Sequence, residues 1–297
     1  RSPDVPFDRS VNPYRGCEHG CVYCFARPTH AWLGLSPGLD FETRLFHKPD
    51  APELLRKELS KHGYRCQPLA LGINTDGWQP IERRNGLTRR LLEVLEEFGH
   101  PVSIVTKSAL IERDIDILAR MAERNLVQVM LSITTLDEDL CRRMEPRAAR
   151  PERRLEAIAR LREDGVPVGV LVAPIIPALT DHELEAILER SREAGAQSAG
   201  YVLLRLPHEL KELFGEWLQT HAPLRAEHVW SRLREMREGE AYQSAFGERM
   251  TGSGLWAKLL RKRFDIAHRR LGFGRLPELD VSHFRVPDTT GQIGLFD

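Results

Sequence analysis

The 297-residue sequence lacks an excess charge of either sign: Lys plus Arg total 43 and Asp plus Glu total 43. Bulk charge therefore argues neither for nor against a nucleic-acid partner, and any basic surface must be local. No apolar run approaches the roughly 18 residues that a membrane-spanning helix needs, so no membrane partner is expected. The segment Arg1 to Phe7 has no apolar stretch of the kind a signal peptide carries. The sequence opens on Arg1 and not on Met, which leaves room for residues upstream. Cysteine is scarce, and the five present cannot lay down a disulfide framework, because three are crowded together while Cys66 and Cys141 stand alone. The two isolated ones read as ordinary buried or half-buried residues. A length of 297 residues suffices for one large core or two modest ones.

The crowded cysteines are Cys17, Cys21 and Cys24, spaced C-x3-C-x2-C within Cys17-Glu18-His19-Gly20-Cys21-Val22-Tyr23-Cys24. Thiolates at this spacing on one short loop can reach three corners of an iron–sulfur cluster. A cubane of four irons normally takes four cysteines, and no other C-x2-C or C-x3-C exists in the chain. One iron would then be open to another ligand. The competing reading is a structural zinc site completed by His19 or His30, in a scaffold that recruits partners and performs no chemistry. Zinc modules usually knit two separated ligand pairs across a small fold, which three ligands in one loop match poorly. Thiolate clusters need a reducing compartment, so a cytoplasmic location is expected.

Beyond the loop, short apolar runs alternate with amphipathic helical stretches from about residue 8 to 206. The expected strands are Ser10–Tyr14, Leu69–Asn74, Val102–Thr106, Val127–Ile133, Val166–Ala173 and Ala199–Arg205. Their nearly continuous Val, Ile and Leu content suits parallel strands covered on both faces. Asp50-Ala51-Pro52-Glu53 and Thr180-Asp181-His182-Glu183 read as capping boxes opening helices. Six right-handed strand–helix units give an α/β fold, a partial (β/α)6 TIM-type barrel, and the chain after Arg205 does not supply the two units that would complete eight. Active sites of such barrels lie at the C-terminal ends of the strands. That rule selects Asn74-Thr75-Asp76-Gly77-Trp78-Gln79-Pro80-Ile81-Glu82, Thr106-Lys107-Ser108, Ser132-Ile133-Thr134-Thr135 with Glu145-Pro146, Pro174–Pro177 and Arg205-Leu206-Pro207. Any one of these could be simple turn chemistry.

Taken together, the C-x3-C-x2-C loop with Tyr23 before its last cysteine resembles the radical S-adenosylmethionine superfamily. N-P-Y-x-G-C-x3-C-x-Y-C, then T-D-x-x-Q-P-x-E, T-K-S and an E-P followed by R-L resemble its spore photoproduct lyase-like branch, over about residues 8 to 207. The resemblance implies a [4Fe–4S] cluster on Cys17, Cys21 and Cys24, with S-adenosylmethionine chelating the open iron. It implies one-electron cleavage to a 5′-deoxyadenosyl radical and an electron donor such as flavodoxin or ferredoxin. Lys107 matches the family's lysine near the cofactor carboxylate, and Ser132 a polar residue near its ribose and methionyl part. Asn74, Thr75 and Asp76 take the place of the Gly-Gly-Glu motif, although Asp76 could instead cap its own turn. Glu145 and one of Arg153 and Arg154, with Arg154 favoured, are expected to face the cofactor. Spore photoproduct lyases carry a hydrogen-donating cysteine at the end of the second strand, but residues 69–76 contain no thiol. Tyr23 and Tyr201 are the remaining candidate donors, and spore photoproduct itself is not the expected substrate. DNA, in repair or modification, is the expected partner class, with RNA, protein or a small metabolite as alternatives.

Two basic stretches could meet phosphates. One is the run Arg142, Arg143, Arg147, Arg150, Arg153 and Arg154, from which Arg147 and Arg150 are selected. The other is an amphipathic helix expected over Gly254 to Gly272, carrying Lys258, Arg261, Lys262 and Arg263. Each could equally be a solvated face with internal ion pairs. Helices over Glu209–Thr220 and Ala226–Glu238 complete a mainly helical C-terminal extension. The expected divisions are 1–206 for the barrel, 207–286 for the extension and 287–297 for a flexible tail. In that tail Gln292, Ile293, Leu295 and Phe296 resemble the peptide by which repair proteins dock on the bacterial sliding clamp. A monomer is expected.

Overall fold

The computed structural model describes residues 4–5, 7–237, 239–240, 242 and 246–287. Six parallel strands form one sheet, in chain order from edge to edge: β1 (Arg9–Val11), β2 (Leu69–Leu71), β3 (Val102–Thr106), β4 (Val127–Ser132), β5 (Val168–Ile175) and β6 (Ser198–Leu203). The edge strands β1 and β6 do not pair, so the barrel is open. Helices α1 (Ala51–Leu59), α2 (Leu87–Glu97), α3 (Ile115–Ala122), α4 (Glu138–Met144), α5 (Pro151–Glu163) and α6 (Leu184–Glu193) lie between the strands. Strand residues alternate in role. Val102, Ile104, Val127, Val129, Leu131, Val168 and Val170 are fully buried against the helices, while their neighbours line the open interior.

Local chemistry explains where strands differ from their expected bounds. The first stops at Val11, before Pro13, which has no N–H to give a ladder, and Tyr14–Arg15 then pairs antiparallel with Phe46–His47. The second stops at Leu71, because Gly72 has φ +81 and lies against the Val105 carbonyl. The fifth starts two residues late, after Pro167, and runs on to Ile175.

After β6 come α7 (Leu210–His221), α8 (Pro223–Glu235) and α9 (Gly254–Arg270). The edge strand is not left bare. The Leu203 N–H donates to Met250 O at 2.9 Å, and α9 packs beside α6, with Phe264 4.8 Å from Tyr201 ring to ring. Ala257, Leu260, Phe264 and Ala267 of α9 join the same hydrophobic core as the sheet and its helices, as do Phe214 and Leu218 of α7. Residues 274–285 then cross the N-terminal ends of the strands: Gly274 N donates to Gln197 O, Asp280 N to Asn125 O and Arg285 N to Phe98 O. Phe284 seats on Tyr64, Phe98 and His100 there. The tail residues Gln292, Ile293, Leu295 and Phe296 lie outside the described residues.

Candidate active site

The cysteine loop follows Tyr14–Arg15 and stands over the C-terminal ends of the strands. Gly16 precedes it at φ +80, and a β-carbon there would meet Phe41 O and Leu45 at 2.7 Å, so the entry needs glycine. Two buried polar side chains then fix the loop. Arg27, 4% exposed, donates from Nε to Cys21 O (2.8 Å), from one terminal nitrogen to Gly20 O (2.9 Å) and from the other to Pro37 O and Gly38 O. Gln79, fully buried, accepts from the Glu18 N–H at 2.8 Å and donates to Gly16 O at 3.2 Å. Cys17 and Cys21 are buried and Cys24 half-buried. Burial raises all three thiols, and Cys17 is raised further by the charges of Asp76, Cys21 and Cys24.

A thiol raised by burial lacks a cation. A cluster of iron ions supplies one, and deprotonates its ligands as any coordinating metal does. Among the described residues no three Cys, His, Asp or Glu side chains gather as a single ion requires. His30, considered above as a zinc ligand, has Nε2 3.0 Å from Arg44 O, and His19 has Nδ1 3.5 Å from Asp76. The residues present fit three thiolates spread over a multi-iron cluster.

Lys107 faces this loop from the end of β3. Its ammonium donates to Ser132 Oγ (2.6 Å) and Ala173 O (3.1 Å) and lies 5.7 Å from the centre of the Tyr23 ring. It has no ion-pair partner among the described residues, while its charge reaches both Cys21 and Cys24. Ser132 in turn donates to Ala173 O at 2.8 Å.

The other residues selected from sequence are held within the protein. Asp76 accepts from Thr106 Oγ1 (2.8 Å), Lys107 N (2.8 Å) and Trp78 N (2.9 Å), so it caps its own turn and also anchors the end of β3. Thr75 Oγ1 donates to Tyr14 O at 3.0 Å, and Asn74 N to Asn12 Oδ1 at 3.2 Å. Tyr14 donates to the fully buried Glu82, which also takes the Leu87 and Thr88 N–H groups at 3.0 Å and pairs with Arg113 at 2.9 Å. The T-D-x-x-Q-P-x-E block thus braces the N-P-Y-x-G-C block.

Glu145 and Arg154 form a buried ion pair, each 1% exposed. Tyr23 donates to Glu145, as does Thr134 at 2.8 Å. Arg154 also donates to Ser132 O (2.9 Å) and Ala149 O (2.7 Å). Burial would raise the Glu145 carboxyl, but the charges of Arg154 and Lys107 overcome it and hold it at about 2. Burial, and then Glu145, pushes the Tyr23 phenol upward. Tyr201 pairs in register with Val172, on the face turned to α9, whereas Ser132 pairs with Leu171 on the interior face. The two candidate hydrogen donors therefore lie on opposite faces of the sheet.

The basic candidates are dispersed. Arg147 pairs with Glu42 and donates to Glu18 O, closing over the cysteine loop; Arg150 lies 3.4 Å from Glu138; Arg263 pairs with Glu185 at 2.6 Å. Lys258, Arg261 and Lys262 are exposed on α9, on the flank of the barrel. Sequence reasoning missed Arg27, while Gln79, Glu82 and Thr134 lay within the strand-end segments it selected but were given no role of their own. Gln79 and Glu82 had a signal, as polar residues in a proline- and tryptophan-bearing turn; Arg27 had none.

Residues 11–190 match the radical SAM superfamily. Uncharacterized proteins of Mycobacterium tuberculosis and Mycobacterium bovis are each 38% identical over 78% of this chain and 68% of their own length. A Methanocaldococcus jannaschii protein is 29% identical over 58% of this chain and 62% of its own. In fold the chain is similar to a spore photoproduct lyase variant, at TM-score 0.63 and 16% identity over 92% of this chain and 78% of that one. A second form of that lyase, with bound AdoMet and dinucleoside spore photoproduct, gives TM-score 0.60 at 16% identity, over 92% of this chain and 78% of that one. The cysteine loop at the mouth of an open six-strand barrel and the match over residues 11–190 agree: the chain belongs to the radical SAM superfamily, which uses a [4Fe–4S] cluster and S-adenosylmethionine.

Proposed function

We propose that this protein is a radical SAM enzyme that acts on nucleic acid, DNA foremost, in lesion repair or modification. One observation carries the cofactor part: an ammonium with no carboxylate partner among the described residues, Lys107, faces Cys21 and Cys24 across the barrel mouth. Bound there, the cluster and S-adenosylmethionine would supply one-electron reductive chemistry. Cys17, Cys21 and Cys24 hold the cluster. Lys107 is a point charge for the methionyl carboxylate, and Ser132 fixes its direction. Tyr23, locked by Glu145 and Thr134, sets the wall beside the third cysteine. The protein's task is to orient the substrate carbon and exclude water. Support for nucleic acid comes from the like fold of a lyase that holds a dinucleoside spore photoproduct.

Residues 1–206 would carry the chemistry, 207–286 would flank it, and 287–297 would reach a sliding clamp. Flavodoxin or ferredoxin would deliver the electron, and the enzyme would work as a cytoplasmic monomer. Among the described residues no helix is long and apolar enough to cross a membrane.

The test is anaerobic reconstitution with iron and sulfide, then dithionite and S-adenosylmethionine. About four irons per chain and 5′-deoxyadenosine as product are expected, and Cys21→Ser should abolish that product. Turnover by the serine variant at the wild-type rate would overturn the loop assignment. Damaged DNA, undamaged DNA, RNA and peptide offered in parallel, with deuterium followed into 5′-deoxyadenosine, identify the substrate class.

A further inference from the structure

Arg205 stands just past the C-terminal end of β6, beside the cysteine loop. Its guanidinium carbon lies over the Phe25 ring, 4.6 Å from the centroid, and its charge reaches Cys24. The side chain is half-buried, yet it has neither a hydrogen bond nor an ion pair among the described residues. A guanidinium carries five donors and accepts nothing, and no nitrogen of Arg205 is sealed from solvent, so its donors stay open to an incoming acceptor. Burial accordingly pushes its pKa below the ordinary arginine value, though not enough to neutralise it at physiological pH.

The surroundings add positive charge. Arg237, 1% exposed, spends its terminal nitrogens on the carbonyls of Leu204, Glu248 and Arg249, and among the described residues it has no carboxylate partner and its buried Nε is unpaired. Asp4, the carboxylate whose charge reaches Arg205, is taken by Arg249 and the Gly247 N–H. Two arginines near the barrel mouth thus lack acids of their own among the described residues. Phe25 is 40% exposed, so the platform is open from outside. Stacking on a ring fixes the plane of a guanidinium and leaves its edge as a fork, the geometry that grips a phosphate through two parallel hydrogen bonds.

We propose that Arg205, seated over Phe25, binds a backbone phosphate of the nucleic-acid substrate beside the nucleoside presented to the cysteine loop. The inference rests on the nucleic-acid reading above. Lys107, deeper in the mouth, is left to the cofactor carboxylate, and Arg205 to the substrate.

The test uses the reconstituted holoenzyme, a short fluorescein-labelled oligothymidylate and fluorescence anisotropy across a salt titration. Arg205→Gln should weaken binding about tenfold at low salt and reduce the slope of log affinity against log salt by about one. Arg205→Lys should keep the slope but not the full affinity, because charge remains while the fork is lost. Phe25→Leu should weaken binding severalfold with the slope unchanged. Wild-type affinity and slope in Arg205→Gln would overturn the proposal. So would a loss that appears in equilibrium dialysis of S-adenosylmethionine instead, which would make the guanidinium a cofactor ligand. If the wild-type holoenzyme binds neither DNA nor RNA oligonucleotides, the nucleic-acid reading fails first and this inference with it.

Discussion

Single residues near the cluster loop divide into those with idle valence and those with none. Lys107 has no carboxylate partner among the described residues, while Glu145 and Arg154 are engaged with each other and with Tyr23, Thr134 and Ser132 O. The latter pair, engaged within the protein, holds Tyr23 and the end of β4 in place. Glu145→Gln leaves a buried guanidinium uncompensated and should cost about 3–5 kcal/mol. Arg154→Met should cost a similar amount. The double variant should lose clearly less than the sum, as read from urea midpoints in a double-mutant cycle. The cysteine loop was legible from its spacing, and Lys107 and Ser132 were picked out at strand ends through the family resemblance. Arg27 was not, because its role lies in carbonyls of residues 20, 21, 37 and 38, and a carbonyl leaves no mark on the letter code.

At the scale of elements, strand positions followed from apolar runs, and the end of the first strand, the end of the second and the start of the fifth moved at a proline or glycine. The tertiary use of loops was less visible: the apolar pattern could not show that residues 274–285 form a strap across the barrel floor, since most of its anchors are backbone hydrogen bonds. That strap meets a buried histidine. His100 lies with Nε2 2.9 Å from Tyr64 OH and Nδ1 3.0 Å from Pro101 O, under Phe284. Burial lowers its pKa to about 4 from an ordinary value near 6.5. The folded state therefore prefers neutral imidazole, and between these two values the unfolded chain binds more protons. Stability from this group is fully present above about pH 6.5 and is lost as pH falls toward 4, to a limit of about 3 kcal/mol. Denaturant melts from pH 7 to 4 should show His100→Gln losing less stability than wild type over that window. Parallel pH curves for the two proteins would contradict the assignment.

For the whole molecule, the open barrel leaves one face for chemistry and one for support. The expected partial barrel is found, with α7, α8 and α9 sharing its core and α9 covering its last edge strand. The expected basic stripe of α9 turns out to be divided. Arg263 and Arg270 bind Glu185 and Glu189 of α6, and Lys258, Arg261 and Lys262 remain outward. Helical periodicity could place these residues on faces, but it could not say which face a neighbouring helix would neutralise. Beyond the described residues, a peptide of Thr289–Asp297 should bind the bacterial sliding clamp at micromolar strength, about 7–8 kcal/mol. Alanine at both Leu295 and Phe296 should remove that binding and leave 5′-deoxyadenosine formation intact. A peptide without clamp affinity by calorimetry would take away this tether.

The strap also decides where the polypeptide can be gripped from outside. It carries the chain from α9 beneath the strands, and Arg285, two residues before the last described position, is anchored to Phe98 O on the floor. A biotin, bead or surface linker added after Asp297 would therefore pull on the molecule from the side remote from the cysteine loop. An array coupled that way would hold its barrel mouths toward the solution, each free to meet a long polymer end-on or along its length. Coupling through an early residue such as Asp4, hydrogen-bonded to Gly247 and near Arg205, would instead press the mouth against the support.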